Sequence, residues 1–371
     1  MRVAIDGGTW GNQRGYGRYT REVLTALARR RRHEYVVVLD AQTAAQALPL
    51  PDGLAVDVVA LGGAPSQQAS ADGWRSPLDM WRMGRALARA RADLVFFPSV
   101  YTYVPVPARV PIVVTIHDVI AERWPSLIFA NARARQFWNA KLWLARRQAA
   151  QVLTVSQHAA RGIHEIFGTP VDRIAVSGEA PAPIFQPVAD PGRVRDALTL
   201  CGDPDAEVLV YVGGLAPHKN LALLVRVFAR LAAERTRQPL HLLLVGDYES
   251  DVFLSAFPDL RQLVDRECPG RVHFTGRIAD DRLAALYTGA RAVVLPSFDE
   301  GFGLPAVEAA ACGAAVIATR SSAMPEVLGD GAVYMDPADA GSLYGALVQL
   351  LDDPAQRRAL AARGAARARE L

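Results

Sequence analysis

Lysine and cysteine are scarce in this 371-residue chain. Its lysines are Lys141 and Lys219, so nearly all of the 41 basic residues are Arg. The three cysteines, Cys201, Cys268 and Cys312, are odd in number and far apart. They indicate neither a disulfide framework nor a metal site, and they fit a reducing cytoplasm. Because Arg replaces lysine almost throughout, each remaining lysine is a candidate for a special role.

Long apolar runs and a strong excess of one charge are missing as well. No uninterrupted apolar run approaches the roughly 20 residues of a membrane span. The net charge of +3 is too small to argue for a nucleic-acid partner. The first strand is expected to start right after Met1, so we expect no secretory signal before the fold. These absences favour a cytoplasmic protein, and they leave open a peripheral contact with the inner face of the cell membrane.

Apolar strands alternate with helices along the chain, which predicts parallel sheets with helices on both faces. A chain of this length exceeds the usual limit of one core, so two α/β domains are expected. Strands are predicted near 2–6, 34–39, 55–60, 93–97, 111–116, 151–155, 173–176, 207–212, 240–246, 271–274, 292–295, 314–318 and 331–334. The main helices are predicted near 17–31, 78–91, 131–149, 157–167, from 220, near 304–312 and near 354–370.

A Pro-rich, aperiodic stretch begins at Gly178 and predicts a linker. Ligands of doubly wound sheets bind at the carboxyl ends of the strands, so two facing domains would form a cleft between two such edges. The predicted organisation is an N-terminal Rossmann-like domain at 1–180, a linker at 181–195, a second Rossmann-like domain at 196–353 and a last helix at 354–371.

The most informative segment lies between a predicted strand and a predicted helix, and it reads Pro296-Ser297-Phe298-Asp299-Glu300-Gly301-Phe302-Gly303-Leu304-Pro305-Ala306-Val307-Glu308. Its loop delivers unpaired backbone N–H groups and the positive end of a helix dipole to one place, which attracts anions. Carboxylates are poor phosphate ligands but good acceptors for sugar hydroxyls. A phosphate-linked sugar therefore satisfies both halves of this segment, although Glu308 would also suit an ordinary exposed helix position.

A second anion site is predicted around Lys219. The segment from Val212 through Gly213 and Gly214 to Lys219 joins a strand to a helix that starts near Asn220. It places a compact ammonium group at a helix N-terminus. The alternative is an exposed Lys in the first turn of a helix, which the helix dipole would slightly disfavour.

The pattern of Glu300, Gly301-Phe302-Gly303 and Glu308 resembles the motif of the family-4 retaining glycosyltransferases, also called glycosyl transferases group 1. These are two-domain enzymes of the GT-B type, and His117-Asp118 at the end of an earlier strand resembles their mannosyltransferase-like branch. The resemblance implies that Glu308 binds the ribose of a nucleotide. It also implies that Glu300 and the backbone of Gly301, Phe302, Gly303 and Leu304 bind the donor sugar.

The same resemblance assigns Gly213, Gly214 and Lys219 to the diphosphate of the sugar donor. The family has an Arg at the position of Gly214, so half of the usual cationic clamp is missing here. Arg14, Arg18 or Arg320 are candidates to replace it. We also count Arg277, after the strand near 271–274, among the residues that bind the donor. In GT-B enzymes the last helix crosses back to the first domain, and the resemblance implies the same for 354–371.

Three segments of the first domain are expected to line the cleft. The loop from Asp6 to Thr20 contains Gly15 and Gly17, which would let the backbone approach a phosphate. His117 and Asp118 end a strand, and the resemblance implies that His117 reaches the donor sugar. The third segment contains Ser156, for which capping of the next helix is a sufficient explanation.

Other functions are less well supported by the sequence. Gly15-Tyr16-Gly17-Arg18-Tyr19-Thr20 approximates the dinucleotide fingerprint of a nicotinamide-dependent oxidoreductase, with Asp40 as the ribose ligand. However, Thr20 replaces the third Gly and the loop before Gly15 is too long, so this alternative is disfavoured. Asp203-Pro204-Asp205 is the sole Asp-x-Asp and lies in a turn, so no metal is expected.

Two basic stretches invite a membrane interpretation. Arg29–Arg32 is better explained as complementing the C-terminus of the first helix. The helix near 131–149 interleaves basic and aromatic residues and could dock on an anionic bilayer, but a solvated helix with a core-facing aromatic stripe is favoured. Its residues of interest are Arg133, Arg135, Phe137, Trp138, Lys141, Trp143, Arg146 and Arg147.

The sequence therefore predicts a retaining, metal-independent glycosyltransferase with His117, Lys219 and Glu300 as catalytic residues. It would move a hexose, with mannose favoured, from a GDP- or UDP-linked donor to a glycan, lipid-linked or small-molecule acceptor. The alternative of another class is a catalytically weak partner subunit that binds a nucleotide sugar. The sequence determines neither the acceptor nor the oligomeric state.

Overall fold

The computed structural model describes residues 1–46, 48–63, 76–203, 206–235, 239–248 and 255–371. Internal contacts divide the chain into two compact units. The first unit comprises Met1–Val155 and Ala159–Ser177, and the second comprises Ser156–His158 and Gly178–Leu371. The long segment of the second unit thus begins where the Pro-rich stretch begins.

The first unit contains a seven-stranded parallel sheet in the order β3-β2-β1-β4-β5-β6-β7. The strands are β1 (Arg2–Asp6), β2 (Glu34–Asp40), β3 (Leu54–Val59), β4 (Leu94–Phe97), β5 (Ile112–Thr115), β6 (Ala149–Thr154) and β7 (Ile174–Val176). The helices are α1 (Gly15–Arg30), α2 (Ala41–Ala45), α3 (Pro77–Arg89), α4 (Ile120–Arg123), α5 (Pro125–Ile128), α6 (Ala132–Gln148) and α7 (Gln157–Phe167).

The second unit contains a six-stranded parallel sheet in the order β10-β9-β8-β11-β12-β13. The strands are β8 (Glu207–Val212), β9 (Leu240–Val245), β10 (Val272–Gly276), β11 (Ala292–Leu295), β12 (Val316–Thr319) and β13 (Ala332–Met335). The helices are α8 (Pro191–Leu198), α9 (Leu221–Glu234), α10 (Phe257–Glu267), α11 (Asp280–Gly289), α12 (Leu304–Ala311), α13 (Met324–Leu328), α14 (Ala340–Asp352) and α15 (Pro354–Arg369).

The central strands of the second sheet are buried on both faces, as parallel strands covered by helices should be. Every residue of β9 is buried, and β11 and β12 are fully buried as well. Helix α9 packs its Leu224, Phe228 and Leu231 into this core at the spacing of one helical face. Burying each such side chain contributes roughly 1.5–3 kcal/mol, so the sheet forms a firm base for the loops at its edge.

The strand order creates a switch point in the second sheet. Strand β8 lies between β9 and β11, because the chain leaves β8 toward one side of the sheet and later returns to the other. The loops after β8 and β11 therefore emerge side by side at the carboxyl edge, which is where doubly wound sheets bind ligands. These are the loops that carry Lys219 and Glu300.

The predicted strands and main helices are confirmed to within about two residues at most ends. Helix α1 begins at Gly15 and not near residue 17, so Gly15 and Gly17 lie in its first turn. Helix α15 packs within the second unit, where Arg367 Nε donates to the carbonyl oxygen of Val327 at 3.0 Å. Its crossing to the first domain remains a prediction. Among the described helices, none combines the length and the apolar character needed to cross a bilayer.

Candidate active site

The loop after β8 is shaped by a close approach between two backbone segments. An added Cβ at Gly246 would lie 1.9 Å from the carbonyl oxygen of Gly213, so only glycine fits at position 246. The chain then makes a short 3-10 turn over Pro217–Lys219, and Asn220 adopts a left-handed conformation with φ of 58°. Asn tolerates this region better than most residues, and helix α9 starts immediately after it.

Lys219 and Glu300 form an ion pair at the carboxyl edge of the second sheet. The Lys219 ammonium donates to both carboxylate oxygens of Glu300, at 2.8 and 3.0 Å. Ser297 Oγ donates to Glu300 Oε1 at 2.6 Å, so the carboxylate is held from two sides. The side chains are only 19% and 12% exposed, which weakens solvent screening of the pair. Two of the three predicted catalytic residues are therefore in direct contact.

Backbone hydrogen bonds join the loop after β8 to the loop after β11. The amide of Phe298 donates to the carbonyl oxygen of His218 at 3.0 Å. The Asn220 side-chain amide donates to the carbonyl oxygens of Pro296, at 3.1 Å, and Pro337, at 2.8 Å. Burial lowers the pKa of His218 well below its usual value, and the Lys219 charge lowers it further. His218 is therefore neutral, and Lys219 supplies the cation of this loop.

Helix α12 begins at the end of the loop that carries Glu300, and the start of this helix has the shape of an anion-binding site. Gly303 has φ of +85°, and an added Cβ there would lie 2.1 Å from Met324 Cε, so the position requires glycine. Within the described residues, the amides of 301–304 donate to no protein acceptor. They lie at the positive end of the α12 dipole, in the loop that carries Glu300. This arrangement can stabilise negative charge on a phosphate.

Glu308 is buried inside α12, which excludes the ordinary exposed helix position considered from sequence. It is 3% exposed. Its charge contributes to raising the pKa of Cys312, where burial is the larger cause and the resulting value is about 12. A buried carboxylate at a ligand edge is a strong hydrogen-bond acceptor because little water competes for it. The assignment of Glu308 to a ribose remains a prediction.

Glu179 supplies a carboxyl group near Glu308 that the sequence did not indicate. It lies in the stretch identified only as a linker, and no motif marks it. Burial raises its pKa from 4.5 to about 8, and the nearby negative charge of Glu308 adds to that effect. Two carboxyl groups thus share one region, and at neutral pH Glu179 keeps its proton.

The wild type is expected to lose stability as the pH rises from 4.5 to about 8, and Glu179→Gln is expected to remove this loss. Folding raises the Glu179 pKa, so the folded state binds more protons than the unfolded state between the ordinary value of 4.5 and about 8. Stability therefore falls as pH rises through this window. Melting temperatures from pH 5 to pH 9 would show a smaller decline for the variant than for the wild type. Asp259→Asn, which removes an exposed carboxylate from the same unit, is the control and should leave the decline unchanged.

The surroundings of Gly214 are open. An added Cβ at Gly214 meets no heavy atom within 4 Å, whereas Gly213 is crowded by the Tyr211 hydroxyl. The Tyr211 hydroxyl donates to the Gly214 carbonyl oxygen at 2.7 Å and fixes the backbone. The chain can therefore carry a side chain at position 214 without rearrangement.

Gly214→Arg is expected to strengthen nucleoside diphosphate binding by roughly 3- to 10-fold, because a charge-assisted bond is gained at the cost of ordering a flexible side chain. Calorimetry with GDP and UDP measures the change. Gly345→Arg is the matched control, since Gly345 is an exposed glycine of the same unit that also has no neighbour within 4 Å. Equal effects of the two substitutions would mean that the phosphates do not lie beside position 214.

The structure places the other predicted arginines of the second unit, Arg277 and Arg320, but does not establish their roles. Arg277 follows β10 at the carboxyl edge and is exposed. Arg320 follows β12, and its guanidinium donates to the carbonyl oxygen of Tyr334 at 3.3 Å. Of the candidates to replace the missing clamp, only Arg320 belongs to the unit that contains Lys219; Arg14 and Arg18 belong to the first unit. Their roles remain predictions.

Ser156 does more than the sequence suggested. Its hydroxyl donates to the carbonyl oxygen of Gly301 at 2.6 Å, so it anchors the Glu300 loop. The neighbouring His158 side chain bonds Asp299 Oδ1 at 2.8 Å. Capping alone therefore does not explain this segment. The sequence did not reveal these contacts, because their partners are more than 140 positions apart.

In the first unit, His117 is held as a neutral ring. Its Nε2 is 3.1 Å from the carbonyl oxygen of Pro98, which can only accept, so Nε2 carries the hydrogen. Burial lowers the His117 pKa to about 4, which the bond to Pro98 only partly offsets. The Tyr19 ring packs edge-on against it, with 4.8 Å between ring centroids. His117 therefore carries no charge at pH 7.

Gly15 and Gly17 of the first loop differ in their surroundings, and binding of the donor by these two glycines remains a prediction. An added Cβ at Gly17 would lie 2.0 Å from the carbonyl oxygen of Asn12, so Gly17 is required for the turn into α1. Gly15 has open space around its Cα. The side chain of Asp40 accepts from the amides of Gln42 and Thr43 and caps α2. Capping accounts for Asp40, the proposed ribose ligand of the dinucleotide alternative.

Helix α6 is only partly the basic and aromatic surface that the sequence allowed. Trp138 and Lys141 are buried, and the Lys141 ammonium lies 4.5 Å from the centre of the Trp138 ring. Trp143, in contrast, is 55% exposed. The aromatic stripe is therefore divided between core and solvent. The turn at Asp203-Pro204-Asp205 lies partly outside the described residues, and within them no group of three or more potential metal ligands occurs.

Comparison with known proteins places this chain in a family. Residues 206–353 match the model described as Glycosyl transferases group 1, and residues 14–177 match Glycosyltransferase Family 4. A D-inositol 3-phosphate glycosyltransferase of Kineococcus radiotolerans is 30% identical over 96% of this chain and 87% of its own length. The chain belongs to the family-4 glycosyltransferases.

Individual relatives are similar over different shares of their length. O-antigen chain mannosyltransferase B of Escherichia coli is 32% identical over 70% of this chain, which covers 66% of that protein. The chain thus spans slightly less than two thirds of that relative. Sucrose-phosphate synthase from Thermosynechococcus elongatus superposes with a TM-score of 0.76 at 20% identity, over 100% of this chain and 94% of that one. This likeness confirms the GT-B fold type.

Proposed function

We propose that this protein is a retaining, metal-independent hexosyltransferase that uses a nucleoside diphosphate sugar, with mannose as the favoured sugar. The observation that carries the proposal is the Lys219–Glu300 ion pair in the same site as the amides of 301–304, which donate to no acceptor in the described part of the chain. One end of this arrangement suits phosphate and the other suits sugar hydroxyls. The mannose assignment is supported by the similarity to O-antigen chain mannosyltransferase B.

The proposed reaction breaks the bond between the anomeric carbon and the diphosphate oxygen. Negative charge then grows on the leaving diphosphate while the sugar becomes oxocarbenium-like. Lys219 and the amides at the start of α12 are fixed before the reaction, so they stabilise this charge without reorganisation. The acceptor hydroxyl attacks the same face of the sugar that the diphosphate leaves, and its proton passes to the leaving phosphate oxygen. Following the family, His117 is proposed to contact the donor sugar.

Glu300 has a double role in this proposal. In the free protein it neutralises Lys219, and with donor bound it accepts hydrogen bonds from sugar hydroxyls. The diphosphate then shares the ammonium with the carboxylate. Because Ser297 also donates to Glu300, the carboxylate keeps its orientation during this exchange. Glu308 is proposed to accept from the ribose.

The test is a panel of GDP- and UDP-linked hexoses incubated with the purified chain, with release of nucleoside diphosphate as the readout. We expect turnover of at least one donor in excess EDTA, and NMR of the product should show the anomeric configuration of the donor. Loss of activity in EDTA with recovery on adding magnesium would exclude the metal-free mechanism. An inverted product would exclude retention.

A nucleotide-sugar-binding partner subunit is the second candidate, and Gly214 is the observation that favours it. An Arg is absent from the diphosphate clamp, so charge stabilisation is weaker than the family pattern provides. This candidate predicts calorimetric binding of a donor without turnover by the single chain. If the missing Arg is the cause, Gly214→Arg should turn over the donor measurably, which the wild-type chain alone would not do.

A further inference from the structure

The loop that carries Glu300 is held through two of its carbonyl oxygens. The hydroxyl of Ser156 donates to the carbonyl oxygen of Gly301 at 2.6 Å, in a buried contact. The backbone amide of Ala323 donates to the carbonyl oxygen of Glu300 at 3.2 Å. Two neighbouring peptide groups of this loop are therefore fixed by donors that lie outside it.

A fixed carbonyl group also fixes the amide that follows it. The peptide group is planar and trans, so the C=O of one residue and the N–H of the next point in opposite directions. The bond from Ser156 to the Gly301 carbonyl oxygen therefore turns the N–H of Phe302 away from Ser156. It also polarises this peptide group, which makes the N–H a stronger donor. Within the described residues the Phe302 amide donates to no protein acceptor, so its hydrogen is left for a ligand.

Ser156 lies in a segment that is itself held in place. The two carboxylate oxygens of Glu326, on α13, accept from the backbone amides of Gln157 and His158 at 2.7 and 2.9 Å. The His158 side chain bonds Asp299 Oδ1 at 2.8 Å, one position before Glu300. By its contacts the segment belongs to the second unit, although it shortly follows β6. Ser156 is 1% exposed, so little water competes for its hydroxyl.

Capping of α7 does not explain the hydrogen that Ser156 donates. A capping side chain accepts from the amides at the start of its helix. A serine hydroxyl has one hydrogen besides its acceptor lone pairs, and here the hydrogen goes to the Gly301 carbonyl oxygen. An ionised Asp could cap the helix equally well but could not make this bond. The position therefore uses a property of serine that capping does not require.

We propose that Ser156 is a positioning residue of the donor site, which aims the Phe302 N–H at the phosphate group that leaves the sugar. The inference rests on the proposed function, because it needs a nucleoside diphosphate sugar beside the loop. Ser156 does not touch this substrate and acts through the peptide group between Gly301 and Phe302. The N–H is aimed before the donor binds, so the growing negative charge meets it without reorganisation. Its aim matters most when that charge is largest, so Ser156 should affect kcat more than KM.

The first test measures donor turnover by Ser156→Ala, with the GDP- or UDP-linked hexose that the wild type uses. We expect kcat to fall by roughly 10- to 100-fold, because the amide remains in the site but loses its aim. The KM for the donor should change by less than about 3-fold. Ser156→Thr keeps a hydroxyl at this position and should recover kcat to within about 5-fold of the wild type.

Thr288 offers a matched control for the loss of a hydroxyl. Its Oγ1 donates to the carbonyl oxygen of Ala284 at 2.8 Å and accepts from the amide of Val188 at 3.1 Å. Thr288 belongs to the second unit and lies outside the loop that carries Glu300. Thr288→Val should lower the melting temperature and leave kcat unchanged, which separates a general loss of stability from a loss of aim.

The second test reads the amide directly and needs no turnover. Protein labelled with ¹⁵N-phenylalanine gives amide signals from its 12 phenylalanines alone, and Phe302→Leu identifies the signal of Phe302. We expect Ser156→Ala to move this signal in the empty protein. The further shift that GDP or UDP causes should fall by at least about half. If Ser156→Ala does not fold, Ser156→Cys fills the same space with a weaker donor and should show both effects to a smaller degree.

The proposal is overturned if folded Ser156→Ala keeps the wild-type kcat, or if Ser156→Ala and Thr288→Val lose kcat equally. It is also overturned if the Phe302 signal and its response to nucleotide are the same in Ser156→Ala and in the wild type. A wild type that turns over no donor and binds neither GDP nor UDP would overturn the proposed function and this inference together. That result is recognised from the wild type alone, before any variant is compared.

Discussion

Replacing Lys219 with Ala is expected to lower kcat by roughly 10²–10³-fold, about 2.7–4 kcal/mol by analogy with losing one preorganised donor. The ammonium is fixed by Glu300 at 2.8 Å before any substrate binds, so it meets the leaving diphosphate without rearrangement. Binding of the intact donor should weaken less, because the bond-breaking state carries more charge on the diphosphate than the ground state. Donor turnover and calorimetric affinity, measured on the same variant, separate the two effects.

The Glu300 contact complicates this substitution and also supplies its control. The Glu300 carboxylate is 12% exposed in the wild type, and without Lys219 it keeps a single hydroxyl partner, which destabilises the fold and repels the diphosphate. Lys219→Met/Glu300→Gln removes both charges and should recover the melting temperature while turnover stays low. If the double variant recovered turnover too, Lys219 would serve only to neutralise Glu300. Lys219→Arg should recover turnover partly, since a planar guanidinium cannot occupy the position of an ammonium unchanged.

Glu308→Gln is expected to weaken binding of the nucleoside diphosphate by roughly 10- to 100-fold, because hydrogen bonds to a charged acceptor contribute about 1.5–3 kcal/mol. The burial of Glu308, at 3% exposure, places this effect at the upper part of the range. Calorimetry with free GDP and UDP measures it without requiring an acceptor or turnover.

Glu179→Gln is the control for this prediction, because it removes a carboxyl group close to Glu308 and leaves the proposed ribose acceptor in place. Its affinity for nucleotide at pH 6, where Glu179 is protonated, should equal that of the wild type. Glu308→Gln should also lower the pKa of Glu179, since the Glu308 charge contributes to raising it. Unchanged nucleotide affinity together with that lowered pKa would remove Glu308 from the nucleotide site and still place it beside Glu179.

Much of the fold was predictable because its determinants are local. Alternating apolar strands and amphipathic helices fixed the two parallel sheets, and the Pro-rich stretch at Gly178 indicated a boundary. The Glu300 and Lys219 loops were recognised because glycines, a helix start and a charged residue lie within a few positions of one another. A short-range pattern of this kind can be recognised in the sequence, because each loop needs its glycines in order to form.

The tertiary structure decided what those residues touch. The sequence assigned Lys219 and Glu300 to different loops, and strand order placed β8 beside β11, so the two side chains form an ion pair. Glu179 and the Ser156 contact with Gly301 carried no signal, because their partners are more than 100 residues away. Sequence determines which groups are present and how each loop begins, and the packing of distant segments determines their partners, burial and pKa.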